Sequence, residues 1–148
     1  STTYPVMILS NEKAKETLKT VGKELYTKYG LATLSKKDPK YIAVYEGDGF
    51  RRDMSYHQGI TWPWLAGLYV ESYKTIIKNE KNKTEKKKLE EEYEKIISNY
   101  KKSFAQAMKE GAIGTISELY NSKPPYLPKG AFAQAWSVSE AIKIMLEK

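Results

Sequence analysis

Glycine and proline cut this chain into helical and non-helical stretches before any other feature is weighed. Pro39, Gly47, Gly49, Gly59 and Pro63 punctuate one stretch, and Gly111, Gly114, Pro124, Pro125, Pro128 and Gly130 punctuate another. Proline gives a helix no backbone N–H and its ring collides with the preceding turn, while glycine is the residue of left-handed turns. Neither stretch can be one continuous helix. Outside them apolar residues recur every three to four positions, the period of an amphipathic helix.

The first helix is expected from a cap at Asn11, with Ala14, Leu18, Val21 and Leu25 on its inner face and Gly30 as its stop after Tyr29. Leu31 to Pro63 is expected as a long irregular loop carrying Tyr41, Tyr45, Phe50 and Tyr56. Loops of that length in compact proteins tend to be functional. A second helix runs from about Trp64 to Asn79, apolar on every side in its first half, with Gly67 allowing a close neighbour. A third, from about Thr84 to Glu110, has one apolar face and one charged face and ends at Gly111. After an irregular stretch from Ala112 to Gly130, a last helix starts near Phe132. The expected architecture is all-α, with outer and inner helices alternating. A closed ring of such hairpins needs more helices than this chain has, so 1–148 is expected to be a single partial domain.

Composition removes several function classes. The 148 residues are 41% apolar and 29% charged, ordinary values for a folded domain. There is no cysteine, which excludes disulfides and thiolate metal sites and suits a reducing, cytoplasmic setting. Pro5 to Leu9 lacks the basic flank of a signal peptide, and no apolar run reaches membrane-spanning length. The net charge of +7 invites a nucleic-acid reading. Against it, the lysines between Lys74 and Lys95 are interleaved with Glu80, Glu85, Glu90, Glu91, Glu92 and Glu94, the pattern of a solvated helix face. No nucleic-acid or membrane partner is expected. His57 is the only histidine and has no histidine partner at helical spacing, so no metal site and no cofactor are expected. Gly47-Asp48-Gly49 is too short for a phosphate loop and precedes no predicted helix, and no serine sits on a nucleophile elbow.

Two segments carry the chemistry that remains. Tyr56-His57-Gln58-Gly59-Ile60-Thr61-Trp62-Pro63-Trp64 holds two of the three tryptophans and the only histidine. Aromatic faces stack on the C–H faces of pyranose rings, while His, Gln and Thr can bond the hydroxyls around the edge. Taken alone, Trp62 and Trp64 read more readily as core anchors closing a loop onto a helix. The second segment runs from Ile116-Ser117-Glu118-Leu119-Tyr120 to Ala133-Gln134-Ala135-Trp136-Ser137. Glu118 is either an acid held in an aromatic cleft, fit for acid–base work, or a glutamate in a surface turn.

These segments, with Tyr29-Gly30-Leu31, Asp38-Pro39-Lys40-Tyr41, Tyr45-Glu46-Gly47-Asp48, Arg52-Asp53, Pro124-Pro125 and Lys129-Gly130, resemble the glucosidase region of glycogen debranching enzymes, in the family's order. Ala32 departs from that pattern, where arginine is usual, and so does Ile60. The resemblance implies the C-terminal portion of an (α/α)6 toroid that hydrolyses α-1,6-linked glucose at glycogen branch points with inversion. It implies Glu118 as general base, with Tyr56, His57, Gln58, Trp62, Trp64, Gln134 and Trp136 lining the glucose subsite and Asp53 orienting the loop or touching sugar. The general acid is an aspartate upstream of this region, so the isolated chain is expected to be inactive. The implied partners are glycogen or a branched α-glucan, and the upstream portion of the same protein or a complementary subunit. The rival expectation is a non-catalytic carbohydrate-binding or association module.

Overall fold

The computed structural model describes residues 8–147. Ten elements follow in chain order: α1 (Asn11–Glu24), β1 (Tyr26–Thr27), β2 (Gly30–Ala32), α2 (Gly49–Tyr56), β3 (Thr61–Trp62), α3 (Leu65–Asn79), α4 (Lys83–Ala107), β4 (Leu119–Tyr120), β5 (Pro128–Lys129) and α5 (Ala135–Leu146). The strands form one antiparallel sheet in the order β1-β2-β3-β4-β5.

That sheet corrects the expectation of an all-α chain forming part of an (α/α)6 toroid. Each strand is two or three residues long, too short for the two-residue alternation by which a strand is read from sequence. Their partners are far apart in the chain, Leu31 facing Trp62 and Thr61 facing Tyr120. The stretches expected as irregular loops are where the sheet is assembled.

Helix boundaries move for local reasons. Ser10, not Asn11, caps α1, its Oγ accepting from Lys13 N at 3.4 Å. The helix stops at Glu24 because Tyr26 and Thr27 turn back to pair with Leu31 and Gly30. Gly30 serves that hairpin rather than a helix stop. In the expected loop, Asp48 caps α2 with Oδ1 accepting from Arg51 N at 2.9 Å, so Gly47-Asp48-Gly49 does precede a helix. The periodicity was silent there because Phe50 and Met54 are exposed and only Ser55 is buried. α4 ends at Ala107, short of Glu110, and α5 begins at Ala135 rather than Phe132, which is exposed.

α3 sits at the centre, packed against α1, α4, α5 and β2. Its Ala66, Tyr69, Val70, Tyr73 and Ile76 join Ala14 and Leu18 of α1, Ile97, Tyr100 and Phe104 of α4 and Ile144 of α5 in one core. Gly67 admits α5, since a Cβ there would come within 2.9 Å of Glu140 Cβ. Tyr100, fully buried, donates its hydroxyl to Gly30 O at 3.0 Å and ties the helical layer to the sheet. The same carbonyl also accepts from Thr27 Oγ1 at 2.9 Å, so the Tyr100 bond adds a link from the helices to the β1–β2 hairpin.

Candidate active site

The sheet positions the aromatic segment from its middle strand. Thr33 N donates to Ile60 O at 3.1 Å and Ile42 N to Gln58 O at 2.6 Å, pinning the loop on both sides of Gly59. A small cluster of Ile60, Trp62 and Leu119 lies beneath, with Tyr45, Tyr56, Trp64 and Leu65 packed on it. Trp62 Nε1 donates to Tyr56 O at 3.1 Å, fastening the end of α2 to β3. Trp62 is 5% exposed, so its indole backs the cluster rather than facing solvent.

Around Trp62 the rings are continuous. His57 stacks on it with planes 2° apart and centroids 5.7 Å apart. Tyr56 meets it edge-on at 4.9 Å, and Trp136 edge-on at 5.9 Å. Trp136 in turn stacks on Trp64 at 5.0 Å. Trp136 is 46% exposed, Trp64 is half-buried and His57 is exposed, so the open surface of the cluster belongs to these three.

Glu118 reaches the cluster through its carboxylate. Oε1 accepts a hydrogen bond from the Tyr56 hydroxyl. Oε2 accepts from Ala131 N at 2.8 Å, while Glu118 N donates to Ala131 O at 2.8 Å. The side chain is half-buried, turned toward the aromatic segment rather than lost in a surface turn. Burial first, and the adjoining Glu118 carboxylate second, push the Tyr56 hydroxyl well above its usual range, so it keeps its proton and remains a donor. An ionised carboxylate has about four lone-pair sites, and two are engaged, which leaves acceptor capacity for a water.

The remaining expected residues lie around this pair. Gln134 opens α5, its N donating to Ile116 O at 3.1 Å, and its side chain does not cap the helix. It brings Trp136 and the segment 116–118 side by side. Gln58 is half-buried and its backbone is committed to Ile42 and Ser55. Asp53 is exposed on α2, on the face it shares with Tyr56 three residues on. Neither has a side-chain bond to the Glu118 pair. Gly130 has more weight here than its place in a motif suggested: its φ is +68°, and a Cβ there would lie 3.0 Å from Glu118 Cβ and collide with the carboxylate. Only the glycine itself signals this in the sequence. Among the described residues no group of histidine, aspartate and glutamate is arranged to hold a metal ion.

A family model described as amylo-alpha-1,6-glucosidase matches residues 1–143, nearly the whole chain. The chain belongs to the amylo-alpha-1,6-glucosidase family. No curated protein matches it. Membership places this sequence in a glycoside hydrolase family connected with glycogen debranching. No helix among the described residues is long and apolar enough to cross a membrane.

Proposed function

We propose that this chain carries the general-base half of an inverting α-1,6-glucosidase site acting on glycogen branch points. The observation that carries the reading is the Glu118 carboxylate, held by the Tyr56 hydroxyl and the Ala131 N–H at the edge of an aromatic cluster open at His57, Trp64 and Trp136. Glu118 takes a proton from the water that attacks the anomeric carbon. Tyr56 and Ala131 N–H fix the direction of its free lone pairs, so the base does not swing during the transfer. The exposed rings hold the glucose by its C–H faces, with Trp62 as their support. Gln58, Gln134 and Asp53 stand around that surface as hydrogen-bonding groups for its hydroxyls.

Inversion needs a second carboxyl across the sugar, about 6.5–9.5 Å from the base, to protonate the leaving oxygen. In this reading polypeptide outside these 148 residues supplies it, either more of the same protein or a complementary subunit, in a cytoplasmic setting. The outer face of α5, where Ile142 and Leu146 are exposed, is suited to such a contact. Alone, the chain lacks an acid whose assistance is typically worth about 10²–10⁴-fold, and it should release little glucose.

The test is Glu118→Gln in the complete enzyme. Glucose release from limit dextrin is expected to fall at least a thousandfold with the thermal midpoint within a degree or two of the parent, roughly the loss when an acid–base group is removed. Retained release would take Glu118 out of the mechanism.

A further inference from the structure

A second cavity of about 210 Å³ lies among β1, the C-terminal end of α1, the loop around Tyr41 and the turn at Ser122–Tyr126. None of the rings of the tryptophan cluster lines it. Lys23, Lys28 and Lys36 stand on its wall against one carboxylate, that of Glu24.

That carboxylate is already taken. Glu24 accepts from Lys37 Nζ at 2.5 Å and from Ser35 Oγ at 2.8 Å, and these bonds hold its pKa below the ordinary 4.5. Lys37 and Glu24 cancel one another, which leaves the charge of the three wall lysines uncompensated. Among the described residues no carboxylate pairs with Lys23, Lys28 or Lys36. Lys28 is also held in place. Its Nζ lies 4.8 Å from the Tyr29 ring centroid and 5.8 Å from that of Tyr126, within the range of cation–π attraction. Ring faces occupy only part of an ammonium that has three N–H donors.

The other groups of the wall decide against rival ligands. Thr27 Oγ1 gives its proton to Gly30 O at 2.9 Å, and Ser122 Oγ gives its own to Gly59 O at 2.5 Å. Neither hydroxyl has a donor left for a sugar, and an anion here is held by the lysines alone. A cation would meet three ammonium groups. A nucleic-acid strand is bound along a basic groove that follows its backbone. These lysines instead converge on one hollow, and the lysine-rich helix α4 has Glu85, Glu90, Glu91, Glu92 and Glu94 among its lysines. A compact group of charge near −2 matches three converging ammonium groups better than a single carboxylate does. Phosphate carries that charge above neutral pH.

We infer that this cavity binds a phosphate dianion, free or as the phosphate ester of a small molecule. The inference stands on charge and geometry and does not depend on the glucosidase reading.

The test is a titration of the isotopically labelled chain with inorganic phosphate above neutral pH, at ionic strength held constant with sodium chloride. The backbone amides of Thr27, Lys28 and Lys36 are expected to shift saturably. Replacing Lys28→Gln and Lys36→Gln together should weaken that saturation at least tenfold, because both lost contacts are charge-assisted. Both side chains are exposed, so the urea midpoint should stay level. Lys83→Gln with Lys87→Gln lowers the net charge equally on exposed positions of α4 and should leave the curve unchanged. Glucose 6-phosphate, run beside inorganic phosphate, separates the two sources. Saturation at a lower concentration assigns an ester, and equal or weaker binding assigns free phosphate; either upholds the site. Shifts that grow without saturating, or equal weakening in the two double variants, would reduce the effect to net charge and overturn the proposal. Cavity amides that move with maltotetraose and not with phosphate would overturn it as well.

Discussion

Glu118 is held from two sides by groups that cannot easily be exchanged. The Tyr56 hydroxyl is one, and the Ala131 N–H is the other, reachable only because residue 130 has no side chain. Two separate costs meet at Gly130, and a matched pair of variants divides them. Gly130→Ala forces alanine to φ +68° and drives its Cβ into the Glu118 side chain. Gly114→Ala also carries a left-handed backbone, φ +79°, but nothing lies within 4 Å of the added Cβ. The conformational cost alone is about 1–2 kcal/mol, so urea unfolding should show roughly that loss for Gly114→Ala. Gly130→Ala should lose more, and should also shift the Tyr56 ring signals as the carboxylate is displaced. Equal losses with unmoved Tyr56 signals would mean that the contact with Glu118 is slack.

At the scale of elements, what could be read in the sequence followed the strength of the pattern. α3 was legible from its unbroken apolar first half, Leu65 through Val70, and α4 because its buried Ile97, Tyr100 and Phe104 recur at three and four positions. The sheet was not legible, because strands of two residues such as Thr61–Trp62 have no period and their partners are set by tertiary packing. Chemistry singled out the rings of the candidate site but also allowed them as core anchors, only the resemblance implied a glucose subsite, and the motif could not tell Trp62, which is buried, from Trp136, which is open. α2 was missed for a third reason: its start is encoded in one cap and not in any apolar face. That cap can be tested. Asp48→Ala removes the acceptor for Arg51 N and should cost about 1 kcal/mol in urea unfolding. Asp48→Asn should recover nearly all of it, since asparagine caps as well as aspartate. If both variants lose the same amount, charge rather than capping holds the helix. Because α2 ends in Tyr56, the alanine variant should also loosen the donor to Glu118.

For the whole molecule, ion pairs add to the hold that the core already has on its elements. Lys15–Glu80 at 2.5 Å links α1 to the end of α3, Lys37–Glu24 at 2.5 Å closes the loop after β2 onto α1, and Lys74–Glu147 ties α3 to the residue following α5. The Lys37 bond, then Ser35, holds Glu24 below its ordinary value of 4.5, and the Lys15 bond, then the Asn82 N–H, does the same for Glu80. Burial works against ionisation of Glu147, but Lys74 and Tyr93 outweigh it and its pKa also falls below 4.5. In each case the unfolded chain binds the proton more readily than the folded one. The stability these acids contribute is therefore present above about pH 4.5 and is lost as pH falls through their lower folded values. Protonating carboxylates on a chain already at +7 adds self-repulsion in the same direction. The thermal midpoint should stay nearly level from pH 7 down to about 5 and then drop steeply. Solvent screening keeps the share of any one exposed pair small, so the informative comparison is one of shape. Glu80→Gln should start lower at pH 7, fall less steeply below 4.5 and meet the parent curve near the acid end. Two parallel curves would show that the Lys15–Glu80 pair contributes nothing to the acid sensitivity, and that the descent comes from Glu24, Glu147 and the accumulating positive charge.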